Sequence, residues 1–290
     1  MHGADVALLR QMRNIFRAAY ACCALLPAVA AAQSAAERRT DEAVSDSISY
    51  VFATDLGSGV YDLDGRTLQI YRLTYTRELR EATPGKVGVR LDLPVTFGFF
   101  DFSPVDVVSR GLPSRIDSFA AVPGIEFDYL LRNDWHLVPY ARAGFSVASS
   151  SVDGWLFGTG LRLQRNGEFH GWDSLVRSEL AYAGVNYRHD VPDDRFVRLR
   201  QGIDLTRPLH WKIGSRSVEL GLYGIFDVIL DSPAAPLAGG RNYPLQAEFG
   251  FTLATRPRYK IWRFDAPRLG FGYRLAGELT AWRFVIGTPF

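Results

Sequence analysis

The chain has 290 residues, 22% of them charged and 13% aromatic, with a formal net charge of +2. That length suits one large all-β domain or two ordinary ones. Arg10, Arg13 and Arg17 against Asp5 give the first 32 residues the whole excess, so the balanced remainder offers no basic face for nucleic acid.

The two cysteines, Cys22 and Cys23, lie inside "AAYACCALLPAVAAAQS". Basic residues upstream, a short apolar core and small residues at Ala30 and Ala32 are the layout of a secretory signal peptide over 1–32, cleaved after Ala32. The stretch is too short and too alanine-rich for a spanning helix. Tyr20 and Ala21 stand before Cys22 without the upstream leucine of a lipoprotein. Cleavage would leave a mature chain without cysteine, hence without disulfide, thiol chemistry or thiolate metal site. The competing reading is an ordinary amphipathic N-terminal helix. Residues 33–45, "QSAAERRTDEAVS", have no apolar period and read as a short periplasmic linker.

From 46 to 290 the period is two. Weak strands are expected near 46–54 and 67–78, the second with Tyr71, Leu73 and Tyr75 opposite Arg72. The clearest strand is "KVGVRLDLPVTFGFF": Val87, Val89, Leu91, Leu93, Val95, Phe97 and Phe99 share one face, with Arg90 and Asp92 on the other. It is long for a globular strand, which has about five or six residues, and suits a tilted bilayer-spanning strand of about 9–11. The same alternation sets Phe119, Ile125 and Phe127 against Glu126 and Asp128, and Leu137, Phe145 and Val147 against His136, Tyr140 and Arg142. It continues with Trp155, Phe157 and Leu161 against Arg162, Val176 and Leu180 against Arg177 and Glu179, and Val197, Leu199 and Ile203 against Arg198, Arg200 and Asp204. Leu220, Leu222 and Phe226 oppose Glu219 and Asp227, Phe249 and Phe251 oppose Glu248, Phe271 and Tyr273 oppose Arg274, and Trp282, Phe284 and Ile286 oppose Arg283.

These patterns predict about 12 strands in an all-β, transmembrane, antiparallel up-and-down barrel. The outer loops are expected at 55–66, 100–116, 149–153, 188–195, 231–241 and 276–278. The inner turns are expected at 79–86, 131–134, 165–172, 208–215 and 256–267, the last long enough to hide a short strand. Alternation alone does not say which face is inside. Long strands, a signal peptide, and a polar face holding Arg72, Arg90, Arg142, Arg162, Arg177, Arg198, Arg200, Arg274 and Arg283 against Asp92, Glu126, Asp128, Glu179, Asp204, Glu219, Asp227 and Glu248 favour a crowded lumen of paired charges with the apolar face on lipid. Tyr129, Trp135, Tyr140, Trp155, Trp172, Tyr187, Tyr243 and Trp282 are candidates for interfacial girdles. Glycines such as Gly160, Gly221, Gly250 and Gly272 fit close strand packing. The bland alternative is a secreted soluble β-protein with a solvated polar face.

The sequence holds no recognisable catalytic constellation. No His-x-Ser pair exists, and His170 and Ser174 fall in a turn region. His136 beside Tyr140 and Arg142 reads as a hydrogen-bonding lumen or rim residue. Glu126 and Asp128 read as carboxylates neutralised by lumen arginines rather than as a general acid/base pair. "DLDG" at 62–65 resembles the start of a calcium loop but lacks the remaining ligands. The expectation is a barrel without catalytic, cofactor-binding or metal-binding residues.

The signal peptide, the strand count, the arginine-rich lumen and the terminal "WRFVIGTPF" resemble the β-barrel domain of bacterial autotransporters, and more narrowly the solitary autotransporter-like barrels that lack a passenger. The resemblance covers roughly 46–290. It implies outer-membrane residence and contact with outer-membrane lipids. It also implies that Trp282, Phe284, Ile286 and Phe290 form the signal read by the barrel-assembly machinery, with Thr288 and Pro289 departing from the pattern. It implies a structural or narrow-channel role. The alternatives are a small-solute or ion porin and a lipid-modifying outer-membrane enzyme.

Overall fold

The computed structural model describes residues 58–63, 66–100, 118–148, 154–187, 194–231, 245–261, 264–276 and 279–290. The expected signal peptide, linker and strand near 46–54 lie outside them, as do most of the loops expected at 100–116, 149–153, 188–195 and 231–241.

Strand follows strand: β1 (Gly59–Leu63), β2 (Arg66–Arg80), β3 (Gly88–Phe100), β4 (Ser118–Ala121), β5 (Gly124–Leu130), β6 (Trp135–Ala148), β7 (Gly154–Phe169) and β8 (Trp172–Tyr187). Then come β9 (Asp194–Ile213), β10 (Arg216–Asp231), β11 (Leu245–Arg256), β12 (Lys260–Ile261), β13 (Phe264–Asp265), β14 (Leu269–Ala276) and β15 (Leu279–Ile286). Sequential strands pair antiparallel, and β15 returns to β1 through Gly59↔Arg283 and Val60↔Trp282. That last ladder leaves no open edge, the condition for crossing a bilayer with strands. β4 and β5 both lie between β3 and β6 and form one stave, while β12 and β13 pair only with each other. The result is a closed antiparallel barrel of 12 strands.

The break between β4 and β5 falls on Pro123, which has no N–H to give to the ladder. Pairing continues around it: the Val122 amide donates to the Pro94 carbonyl at 3.2 Å, and the Ala143 amide donates to the Pro123 carbonyl at 3.0 Å. Three of the connections at one end are tight. Pro84–Gly85 sits between Thr83 and Lys86, with Gly85 at φ +79°, the backbone a type II turn demands at that position. His170 and Gly171 both have positive φ, as a two-residue type I′ hairpin requires.

Several expected boundaries move. The expected loop 55–66 contains β1, which pairs with β2 down to Leu63 opposite Arg66. The "DLDG" stretch falls partly on 64–65, outside the described residues. The inner turns expected at 165–172 and 208–215 are strand down to the two-residue turns. Arg165, Asn166, Gly167 and Glu168 break the apolar alternation, but their backbone still pairs with Val176, Leu175, Ser174 and Asp173. Pro208 sits at the register shift between Ser217 and Glu219, where a missing N–H is tolerated. The long connection 256–267 does hide short strands, the β12–β13 pair.

The faces settle the orientation. Leu73, Trp155, Leu180, Phe249, Leu269 and Trp282 stand exposed outward. Glu179, Arg198, Asp227, Glu248 and Arg274 are buried inward, Arg274 to 2% against 61% for Trp282. A soluble barrel would have the reverse, so this is a transmembrane barrel with an apolar wall and a polar lumen. Among the girdle candidates Trp155 and Trp282 are on the outer face, whereas Tyr140 is a lumen residue, 5% exposed.

Leu180 lies near the middle of the outer wall. Leu180→Arg is expected to lower stability by about 2–4 kcal/mol in urea unfolding from phospholipid vesicles. An unchanged midpoint would place that face in water.

Candidate functional site

The lumen holds the functional candidates, and cross-strand register brings them together. Arg162 is directly opposite Glu179, Glu179 opposite Arg200, Arg200 opposite Asp227, and Glu248 opposite Arg274. On the other side Arg90 is opposite Glu126. Alternation puts each on the inner face, and antiparallel pairing puts opposite charges side by side.

The side chains form two arcs that meet on β9. In the first, Arg90 reaches Glu126 at 3.4 Å and Asp128 at 3.5 Å, Arg162 bridges Glu126 at 3.1 Å and Glu179 at 3.0 Å, and Arg198 reaches Glu179 at 2.7 Å. In the second, Arg200 holds Asp227 with two bonds at 2.6 and 2.8 Å. Arg274 lies 3.7 Å from Asp227 and 2.9 Å from Glu248, and Arg283 closes the arc on Glu248 at 3.1 Å. Glu248 also accepts from the Tyr223 hydroxyl at 2.8 Å. Charge-assisted bonds of this kind contribute about 1.5–3 kcal/mol each where they are shielded from water.

Two tyrosines lie across the lumen on glycines. Tyr140 is opposite Gly160 and Tyr223 opposite Gly250. A Cβ on Gly160 would stand 2.5 Å from the Tyr140 ring, and one on Gly250 2.5 Å from the Tyr223 hydroxyl. The glycines are there for space. Arg142 and Arg162 stack on the Tyr140 ring at 4.7 and 5.2 Å.

Beneath the arcs, toward the short turns, the end of β11 and its connection to β14 contribute charges of their own. Arg256 and Arg258 bind Glu219 at 3.0 and 2.8 Å, and Arg268 pairs with Asp204. Gly221 makes room first for Thr252, whose hydroxyl a Cβ there would meet at 2.2 Å, and then for the Arg268 guanidinium at 3.1 Å. These three arginines were not among the expected lumen charges, because they lie past the apolar alternation of β11. The signal that could have found them is a pair of carboxylates, Glu219 and Asp204, with no arginine directly opposite on either neighbouring strand.

The remaining expected residues lie on the lumen side with weaker partners. Asp92 accepts from Thr76 at 3.0 Å. Arg72, Thr96, Tyr140 and Arg142 line a small cavity of about 30 Å³. Arg177 bonds Gln164 at 3.0 Å and the main-chain oxygen of Phe290. Along β15, Trp282, Phe284 and Ile286 point outward and Arg283 inward, as alternation requires. Phe290 does not continue that face: the strand ends at Ile286, and Gly287, at φ +93°, turns the chain into the lumen.

His136 Nδ1 lies 2.7 Å from Asp128 Oδ1, two members of a hydrolase-like arrangement. No serine or cysteine bonds to this histidine among the described residues, and His170 is confined to the β7–β8 turn, packed on Phe169. Among the described residues no three His, Cys, Asp or Glu side chains cluster as metal ligands.

Against known proteins, no family model matches the chain, and no curated protein matches it. Among solved structures it is similar to the β domain of the Bordetella autotransporter BrkA, at 12% identity and a TM-score of 0.48, covering 78% of this chain and 93% of that one.

Burial separates the ion pairs by their worth. Asp227→Asn leaves Arg200 without its counter-charge and is expected to cost about 3–5 kcal/mol. Asp173→Asn removes an exposed partner of Arg256 and is expected to cost less than about 1 kcal/mol. Urea midpoints of the two refolded variants check the contrast, and equal losses would count against the two arcs as the core of the lumen.

Proposed function

We propose that the protein is an integral outer-membrane barrel with a sealed lumen and a structural, non-enzymatic role, in the manner of a translocator-like barrel. The observation that carries this reading is the pair of ion-pair arcs, which crowd the lumen with buried, bridged side chains. A 12-strand lumen is narrow to begin with. Among the described residues no nucleophile bonds the His136–Asp128 pair, and no observation there favours the lipid-modifying alternative. The outward apolar face is the surface for outer-membrane lipids.

Planar-bilayer recording tests the seal. The purified protein is expected to give no stepwise conductance, and heat-modifiable gel migration is expected to report the folded barrel. Regular steps would overturn the sealed reading in favour of a pore. The second reading, a narrow channel, is supported by the cavity beside Arg72 and Arg142, whose 30 Å³ holds about two waters. It predicts small, infrequent steps that Arg142→Trp abolishes.

The barrel-assembly machinery is proposed as the partner during insertion, with Trp282, Phe284, Ile286 and Phe290 as the signal. Phe290→Asp is expected to reduce the heat-modifiable form recovered from outer membranes several-fold. Normal recovery would count against Phe290 as part of that signal.

A further inference from the structure

Residues 287–290 leave the wall and enter the barrel. The Gly287 amide donates to the Arg268 carbonyl at 2.8 Å, which anchors the turn. Pro289 is fully buried, and its carbonyl accepts from Arg283. The Phe290 ring packs on Tyr223, Ile225 and Val285, and it covers Gly202, where a Cβ would stand 2.9 Å from the ring. The Arg177 guanidinium lies over the same ring at 5.1 Å and bonds the Phe290 main-chain oxygen.

Register places this contact in a defined layer. Arg177 is two residues from Glu179 on β8, Gly202 two from Arg200 on β9, Ile225 two from Asp227 on β10, and Val285 two from Arg283 on β15. Each step runs toward the short turns. The ring therefore lies directly below the ion-pair arcs and above the Arg268–Asp204 pair. Charge accounting gives the layer its chemistry. The arcs join Arg90, Arg162, Arg198, Arg200, Arg274 and Arg283 to Glu126, Asp128, Glu179, Asp227 and Glu248, so the cations are in excess. Among the described residues Arg177 pairs with no Asp or Glu side chain and bonds Gln164 and the main-chain oxygen of Phe290. Arg283 and Arg177 direct donors at the main-chain oxygens of residues 289 and 290.

We propose that segment 287–290 is an internal plug whose displacement opens an anion-preferring path through the lumen. Its ring fills the space over Gly202, and its carbonyls occupy guanidinium donors that a small inorganic anion would otherwise bind. The inference rests on the sealed-barrel reading. The segment lies outside the strand ladders, whereas Arg177 and Gly202, on which it rests, are paired with one another in the wall.

The test is planar-bilayer recording in a potassium chloride gradient on the full chain and two variants. Gly202→Leu displaces the ring without altering 287–290, and Arg177→Ala removes the clamp without adding bulk. Heat-modifiable migration selects folded protein in each case. Expected are a silent parent and stepwise conductance, at least ten-fold more frequent, in both variants. The reversal potential is expected to favour chloride in Gly202→Leu and to favour it less in Arg177→Ala. A silent parent with silent folded variants would overturn the plug and leave the sealed barrel standing. Open variants that prefer potassium would overturn the assigned chemistry of the layer. A parent that itself conducts would overturn the sealed barrel first.

Discussion

A charge on a bilayer-spanning wall has two acceptable positions: facing the lumen, and beside an opposite charge. The first follows from the cost of exposing an ion to hydrocarbon, about 2–4 kcal/mol for arginine or lysine at the midplane. The second follows from the narrow bore, which leaves little water to solvate an unpaired ion. Both conditions are met by one register. Arg162, Glu179, Arg200 and Asp227 lie opposite one another across four successive strands. A slip of one residue in any of them would send its charges to the lipid and its leucines to the lumen. The apolar wall and the ion pairs therefore specify the same alignment, and neither could be built without the other.

The wall is uneven, and much of the inner architecture follows from that. β9 has 20 residues and β7, β8 and β10 have 16 each, whereas β14 and β15 have 8. β11 runs on to Arg256 opposite Ser217, but β14 begins only at Leu269 opposite Leu253. The barrel is thus tall on one side and low on the other at the end with the short turns. Carboxylates on the tall side at that level, Asp204 and Glu219, have no arginine directly opposite on a neighbouring strand. The end of β11 supplies Arg256, and the connection over the low side supplies Arg258 and Arg268.

The wall was legible in the sequence to the extent that its physics is periodic. Alternation over β3, β6, β9, β10 and β11 identified the strands, the polar face and the charges, because lipid imposes the period on every spanning residue. Where the strands leave the apolar band the period stops while the hydrogen-bond ladder continues. Residues 165–169 and 208–213 therefore looked like turns and are strand. β1 was missed for a related reason: five residues, Gly59–Leu63, give too few alternations to stand out. The partners of Asp204 and Glu219 could not be read from pairing rules, since they come from the end of β11 and from a connection with no period of its own.

The end of β15 shows where the alternation stops. Trp282, Phe284, Ile286, Thr288 and Phe290 continue it in sequence, and of these Trp282, Phe284 and Ile286 were expected to face lipid and Phe290 to belong to an assembly signal. Gly287 breaks the alternation, because its positive φ turns the backbone by an amount that no strand residue would accept. Past β15 no described strand pairs with the chain, while the Arg268 carbonyl, the Arg283 and Arg177 donors and the recess over Gly202 are all on the lumen side. An aromatic ring gains its apolar burial on either side of the wall, but only inside do its backbone carbonyls meet buried guanidinium groups. Hydrogen-bond satisfaction, not hydrophobicity, decides the side. The same aromatic residue can therefore be apolar enough to extend a lipid-facing pattern in the unfolded chain and be stored in the polar interior once the barrel has closed.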